Sequence, residues 1–259
     1  MILLLTGAPA RVDAQSVGDQ IALGDSLLHS LHPDQALPLF QAALRTDSTN
    51  YMALYKAGRA AVDVAKQITA DNGPERKRRD SLYQLARSYA ERAIRSDSTD
   101  AEGHYTLALA LGRLSRTMGG RDRLRYGRII RDQASLALVL DPNHDGAHHV
   151  LGAWNAEVKR LSGPTRFFAK TLFGGGFLAS ASWDSAVIHL NRAVTLNPGY
   201  IYHLLELAEV YRDIGQPAEA IKQLEVIQTL PDSDVLDPQH RKRAAELLKE
   251  LRPKAPDSH

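Results

Sequence analysis

Apolar side chains return every three to four positions along most of this chain, and short polar turns interrupt them. That is the period of an α-helix buried along one face. The stretch RRDSLYQLARSYAERAIRS, Arg78–Ser96, places Leu82, Leu85, Ala86, Tyr89, Ala93 and Ile94 on one such stripe, which predicts a long amphipathic helix. The turns are alike: DSTN at Asp47–Asn50, SDSTD at Ser96–Asp100, LDPNH at Leu140–His144 and LNPGY at Leu196–Tyr200. Each stops one helix and opens the next, and an acidic pair such as Asp97 and Asp100 in a turn caps helices rather than performing chemistry. The pattern predicts an all-α chain.

Small residues add a second, longer period. Gly24, Ala36 and Ala43 precede the first turn, and Ala208, Ala220 and Ile227 repeat that spacing near the C-terminus. Two helices cross closely only where side chains are small, so Gly and Ala recur at crossing points. Between the last pair of helices, Gly215-Gln216-Pro217 ends one helix with glycine and opens the next with proline. This 34-residue helix–turn–helix period resembles the tetratricopeptide repeat over nearly the whole chain.

Aligned on these landmarks, the chain divides into five repeats: Val17–Asn50, Tyr51–Asp100, Ala101–His144, Asp145–Tyr200 and Ile201–Asp234. A last helix, about Pro238–Leu251, should cap the stack, because a terminal repeat otherwise exposes core. The expectation is a single α-solenoid domain over residues 17–252. Residues 1–16 are expected to be signal-like or disordered and 253–259 a flexible tail. Gly58, Ala108 and Gly152 take the crossing positions of repeats two to four. Those repeats carry extra residues between their two helices, projecting from one edge. In repeat four the extra segment includes KRLSGPTRFFAKTLFGGG, Lys159–Gly176, where a first helix should run to about Leu161 and break at Gly163-Pro164.

Such insertions are unusual for tetratricopeptide proteins. Together with HVLGAWNAEVKRLSG (His149–Gly163), AKTLFG (Ala169–Gly174) and LNPGYIYHLLELAEVYRDIG (Leu196–Gly215), they resemble the regulator of microtubule dynamics family. The resemblance covers roughly the last two thirds of the chain. It implies a non-enzymatic repeat protein whose relatives have been linked to microtubules and, in one case, to phospholipid at organelle contacts.

Composition narrows the chemistry. There is no cysteine, which excludes disulfides, cysteine nucleophiles and thiolate metal sites. The net charge is +2, yet Arg76–Arg131 holds 14 Lys/Arg against 6 Asp/Glu. That asymmetry reads either as solvated arginine on exposed helices or as a face for an anionic partner. The N-terminal MILLLTGAPARVDAQS resembles the end of a secretory signal, with Ala14 before a cleavage point. It lacks the preceding cations and its apolar run is short, so export and a frayed first helix both stay open. Nothing later approaches the ~20 apolar residues of a membrane span.

Motifs for catalysis are weak. GPTRFFAKT, Gly163–Thr171, imitates a phosphate loop but has Ala169 where glycine is needed and one residue too many. His144, Asp145, His148 and His149 cluster in sequence, but His148 repeats the position of His104, which packs between helices, so a structural histidine is expected. No Gly-x-Ser-x-Gly or His-Glu-x-x-His occurs. Neither a cofactor nor a metal is expected, and the arginines are not interleaved with aromatics in an RNA-binding motif.

Recognition remains. The repeat resemblance implies that the first helix of each repeat lines a concave groove, which selects Tyr55, Arg59 and Asp63; Tyr105, Leu109 and Arg113; His149 and Glu157; and Tyr202, Glu209 and Arg212. Tyrosine and arginine commonly carry interface energy; the alternative is that some merely ladder ion pairs along the stack. The carboxylate clamp known in this repeat class wants Lys and Asn where Ile21 and Asp25, or Tyr55 and Arg59, stand, so the clamp is not expected. The partner read from this lining is a protein or peptide segment. A second reading is an anionic lipid surface met by Arg166, Phe167, Phe168, Lys170, Leu172 and Phe173.

Overall fold

The computed structural model describes residues 16–163 and 175–252. The signal-like N-terminus up to residue 15, the lipid-contact set Arg166–Phe173 and the tail from residue 253 lie outside the described residues. Among the described residues there are eleven α-helices and no strand. They are α1 (Val17–His29), α2 (Pro33–Thr46), α3 (Tyr51–Lys66), α4 (Gly73–Ser96), α5 (Ala101–Ser115) and α6 (Gly120–Leu140). After α7 (Asp145–Arg160) and a 3-10 segment (Gly175–Ser180) come α8 (Trp183–Leu196), α9 (Ile201–Asp213), α10 (Pro217–Ile227) and α11 (Asp237–Leu251).

The turn chemistry explains the boundaries. At Ser16 the hydroxyl accepts from the Asp19 N–H while the Asp19 carboxylate accepts from the Ser16 N–H, so two orphan donors are satisfied at once. Asp47, Asp97 and Asp141 stand at the ends of α2, α4 and α6, each accepting an N–H two residues on. Asn50, Asp100 and His144 then cap α3, α5 and α7 with side-chain acceptors. Gly215 adopts φ +74°, the left-handed stop of α9, and Gln216 N–H returns to the Tyr211 carbonyl. Leu31 takes the equivalent place after α1 at φ +61°, a conformation that costs a residue with a Cβ about 1 kcal/mol.

Each repeat is a helix pair, and the first helices α1, α3, α5, α7 and α9 also touch in succession, forming one layer with α2, α4, α6, α8 and α10 outside it. Crossing points are as tight as the small residues require. A Cβ on Gly24 would stand 2.6 Å from the Phe40 ring, and one on Gly152 would stand 2.5 Å from Leu190 Cγ. Gly58 lies against Thr106, the Ala86 carbonyl and Tyr89. The extra residues of repeats two and three lengthen the second helices, α4 reaching 24 residues and α6 21. On α4 the fully buried stripe is Tyr83, Ala86, Tyr89, Ala90 and Ala93; Leu82, Leu85 and Ile94 flank it, half-buried. In repeat four α7 ends at Arg160, and the chain re-emerges as the 3-10 segment, whose Phe177 and Leu178 join the main core.

Helix α11 packs on α9 and α10 as the expected cap. Ahead of it, the loop from α10 reaches back across the stack: Lys66 Nζ, at the end of α3, lies 2.5 Å from Asp234 Oδ2. The two side chains keep 6% and 10% of their surface exposed. The Tyr200 hydroxyl donates to the same carboxylate at 2.9 Å. This contact ties the second repeat to the fifth.

Candidate binding cavity

The inner layer lines an open cavity of about 1120 Å³. Its walls come from the end of α1 and its turn, α3, α5 and α7, the start of α9, the first half of α6, the 3-10 segment and the loop at Ser233–Val235. Tyr55, Arg59, Asp63, Tyr105, Leu109, Arg113, His149, Glu157 and Tyr202 all line it. Helical spacing is the reason: residues four apart on α3 and α5 share a face, and that face turns inward.

Glu209 and Arg212 stand elsewhere. The Glu209 carboxylate accepts from Arg243 Nε of the capping helix at 3.1 Å, and Arg212 pairs with Asp213 at 2.7 Å. Repeat five is followed by α11 rather than by a sixth repeat, so the cap takes up Glu209, while Arg212 is held by its neighbour on α9. The same helix sets His240 flat on Tyr202, with ring centroids 4.6 Å apart.

At the α3 end the cavity is a network of paired charges. Lys56 meets Asp25 at 2.8 Å, Arg59 meets Glu102 at 3.6 Å, and Lys66 meets Asp63 as well as Asp234. The Arg59 guanidinium also lies over the Tyr105 ring at 5.7 Å. Its side chain keeps 44% of its surface accessible, and that surface faces the cavity. Burial opposes the charge on Glu102, but His144 and Arg59 outweigh it and hold the carboxyl below its ordinary range. Asp234 behaves likewise: burial opposes its charge, and Lys66 overcomes it. Burial pushes the hydroxyls of Tyr105, Tyr200 and Tyr202 up, so all three are neutral donors at physiological pH.

The floor is built of imidazoles. His149 Nδ1 and His203 Nδ1 are 3.1 Å apart, and His203 Nε2 lies 3.1 Å from Asp145 Oδ2. Burial first, and the neighbouring His203 second, push His149 well below its ordinary value, which makes it neutral. His148 faces outward, its Nδ1 3.0 Å from His189 Nδ1 and its Nε2 3.1 Å from the Pro142 carbonyl. His104 repeats that geometry with Gln133 and the Ser98 carbonyl, so both histidines bridge helices. No group of three His, Cys, Asp or Glu among the described residues is arranged to hold a metal.

At the far end the pairing thins. Arg116 and Arg123 share Glu157, at 3.9 and 3.8 Å. Arg113 lies over Tyr202 at 5.7 Å. Apolar walls stand beside them: Leu109, Val150, Trp154, Val158 and Phe177. Trp154 Nε1 donates to the Gly127 carbonyl at 2.8 Å, while Arg131 covers the Trp154 and Phe177 rings. Sequence reasoning missed His203, Tyr200, Lys66 and Asp234. The first two begin α9 beside the LNPGY turn, a place the repeat spacing does not mark. The last two meet only because the stack coils.

The family model described as regulator of microtubule dynamics protein 1-3 matches residues 21–252. Regulator of microtubule dynamics protein 3 of Mus musculus is 26% identical over 199 residues, covering 75% of this chain and 40% of that protein. Regulator of microtubule dynamics protein 1 of Bos taurus is 26% identical over 197 residues, covering 76% of this chain and 60% of that one. The chain thus spans about 40 to 60% of the length of these curated relatives. Among solved structures, TTC0263, a thermophilic tetratricopeptide protein of Thermus thermophilus, aligns with a TM-score of 0.65 at 21% identity. That alignment covers 90% of this chain and all of that one. The type IV pilus biogenesis factor PilW aligns at 0.55 and 16% identity, over 92% and 91% of the two chains. These two likenesses carry the fold, a tetratricopeptide α-solenoid. No helix of the described residues is long and apolar enough to cross a membrane.

Proposed function

The chain belongs to the regulator of microtubule dynamics protein 1-3 family, and from that premise we propose that it is a scaffold holding a protein or peptide segment in its concave cavity. The observation that carries the reading is the lining itself. Tyr55, Arg59, Tyr105, Arg113 and Tyr202 gather on one inward face of about 1120 Å³, the residue types that concentrate binding energy. Family and fold are of the scaffold type, so the reading is non-enzymatic.

A partner segment would stack on the tyrosines and take hydrogen bonds from neutral hydroxyls and guanidinium groups. Co-purification from the native source, quantified by mass spectrometry and repeated on Arg59→Glu and Arg113→Glu, tests this. Each reversal of charge is expected to cut recovery of the true partner about tenfold, as loss of an interface hot spot does. Unchanged recovery with both folded variants sinks the cavity assignment.

The second reading, a membrane-surface module, rests on residues 166–173 and on the basic stretch Arg76–Arg131. Flotation with phosphatidylserine vesicles separates it. Co-flotation lost on neutralising Arg166 and Lys170 would favour it, and no flotation would remove it.

A further inference from the structure

We infer that the cavity takes its protein segment by an acidic side chain, whose carboxylate docks on Arg113. This rests on the scaffold reading above and names the chemistry of what is held. Among the described residues, seven Lys and Arg side chains line the cavity against six Asp and Glu. The charges are not evenly satisfied. Each cation of α3 has a carboxylate partner, and that end of the cavity is neutralised from within.

In the last turn of α5 the situation differs. Arg113 has no hydrogen bond or ion pair with any described residue; the Tyr202 ring at 5.7 Å is what it meets. One helical turn on, Arg116 shares a single carboxylate, Glu157, with Arg123. Glu206, Arg113, Arg116 and Glu157 all act electrostatically on Tyr202, so they surround one spot, and Glu206 is already held by Arg160 at 2.9 Å. His149 beside them is held neutral by burial and adds no cation.

Asp234 acts on Arg113 only from beyond ion-pair distance, and a guanidinium withdrawn into a cavity with no carboxylate in reach is an unfinished ion pair. Arg113 itself brings one positive charge, which a single carboxylate balances and a doubly charged phosphate overshoots. Arginine presents a planar fork that matches a carboxylate bidentately, and the bond strengthens where water is scarce. Leu109, Val150 and Val158 line the same wall, so the residue beside the acid should be apolar. The occupant is therefore an acidic-apolar segment of a protein.

The test is selection of random dodecapeptides displayed on phage by the full chain, in parallel with Arg113→Gln and Arg113→Lys, each confirmed folded by its melting curve. Wild type should enrich peptides with one fixed Asp or Glu next to an apolar residue. Arg113→Gln should keep the apolar preference and lose the acidic one, and Arg113→Lys should retain it weakly. For a selected peptide, replacing that acid by its amide should weaken binding to wild type about tenfold and leave binding to Arg113→Gln unchanged. Should Arg113→Gln fail to fold, Arg116→Gln with the same peptide pair replaces it, a smaller but still acid-dependent loss being expected.

Enrichment without an acidic position, or an acidic position indifferent to Arg113, overturns the inference and leaves the scaffold reading standing. Failure of any peptide to enrich on wild type removes both. Arg113-dependent binding of phosphatidylserine vesicles with no acidic peptide preference would assign the arginine to a lipid headgroup and overturn the inference as well.

Discussion

His148 and His149 are consecutive on α7, and each meets another imidazole nitrogen to nitrogen, one outside the stack and one in its cavity. Such a pair holds one donor and one acceptor, so it needs at least one neutral ring. Burial lowers His148, His149 and His189 from their ordinary value near 6.5. The sign follows. The unfolded chain takes up these protons first as pH falls, so stability is full above about 6.5 and declines as pH drops below it. The melting temperature should therefore fall between pH 7.5 and pH 5, and His149→Gln should flatten that slope. Asp145 is also depressed: burial opposes its charge, and hydrogen bonds from His203 and Asn197 prevail. Its contribution is lost only below the ordinary carboxylate range, outside this window. A slope that is flat in wild type would refute the neutral-pair account. None of this was legible in sequence beyond the likeness of His148 to His104, because the partners His189 and His203 come from other helices.

Two glycines separate local propensity from packing between elements. On α7, a Cβ at Gly152 would press on Leu190 and lie 3.2 Å from the Ala186 carbonyl of α8. Alanine raises helix propensity by about 1 kcal/mol, but backbone cannot yield as a side-chain tip can. Overpacking should win, and Gly152→Ala should lose about 2 kcal/mol in urea denaturation. Near the end of α5, Gly112 meets nothing within 4 Å, so Gly112→Ala should gain about 0.5 to 1 kcal/mol instead. A gain at Gly152 would show that α7 and α8 can separate freely. The crossing positions were readable in advance because a close approach leaves small residues at a fixed spacing. The tyrosine stripe of α4 was read only in part: Leu82 and Leu85 stood out as apolar, while Tyr83, the better buried, looks amphipathic in a sequence.

For the molecule as a whole, the decisive contact joins Lys66 to Asp234, 168 residues apart. Both side chains are nearly buried, so removing one strands the other's charge. Lys66→Ala should cost about 3 kcal/mol. It should also raise amide exchange in residues 228–236 more than in α4, which a simple loss of local helix would not do. Unaltered exchange there would mean that the loop is held by α9 and α11 alone. The sequence by itself determined the helices, their caps and turns, the five repeats, the closing helix and most of the inward face, because each follows from patterns a few residues long that recur with the repeat. Tertiary structure decided the rest: that the cap takes up Glu209 while Arg212 turns to Asp213, that imidazoles from two helices form a floor, and that Arg113 has no ion-pair partner among the described residues. Those outcomes depend on how the small rotation at each crossing accumulates over five repeats, and no single stretch of the chain encodes that sum.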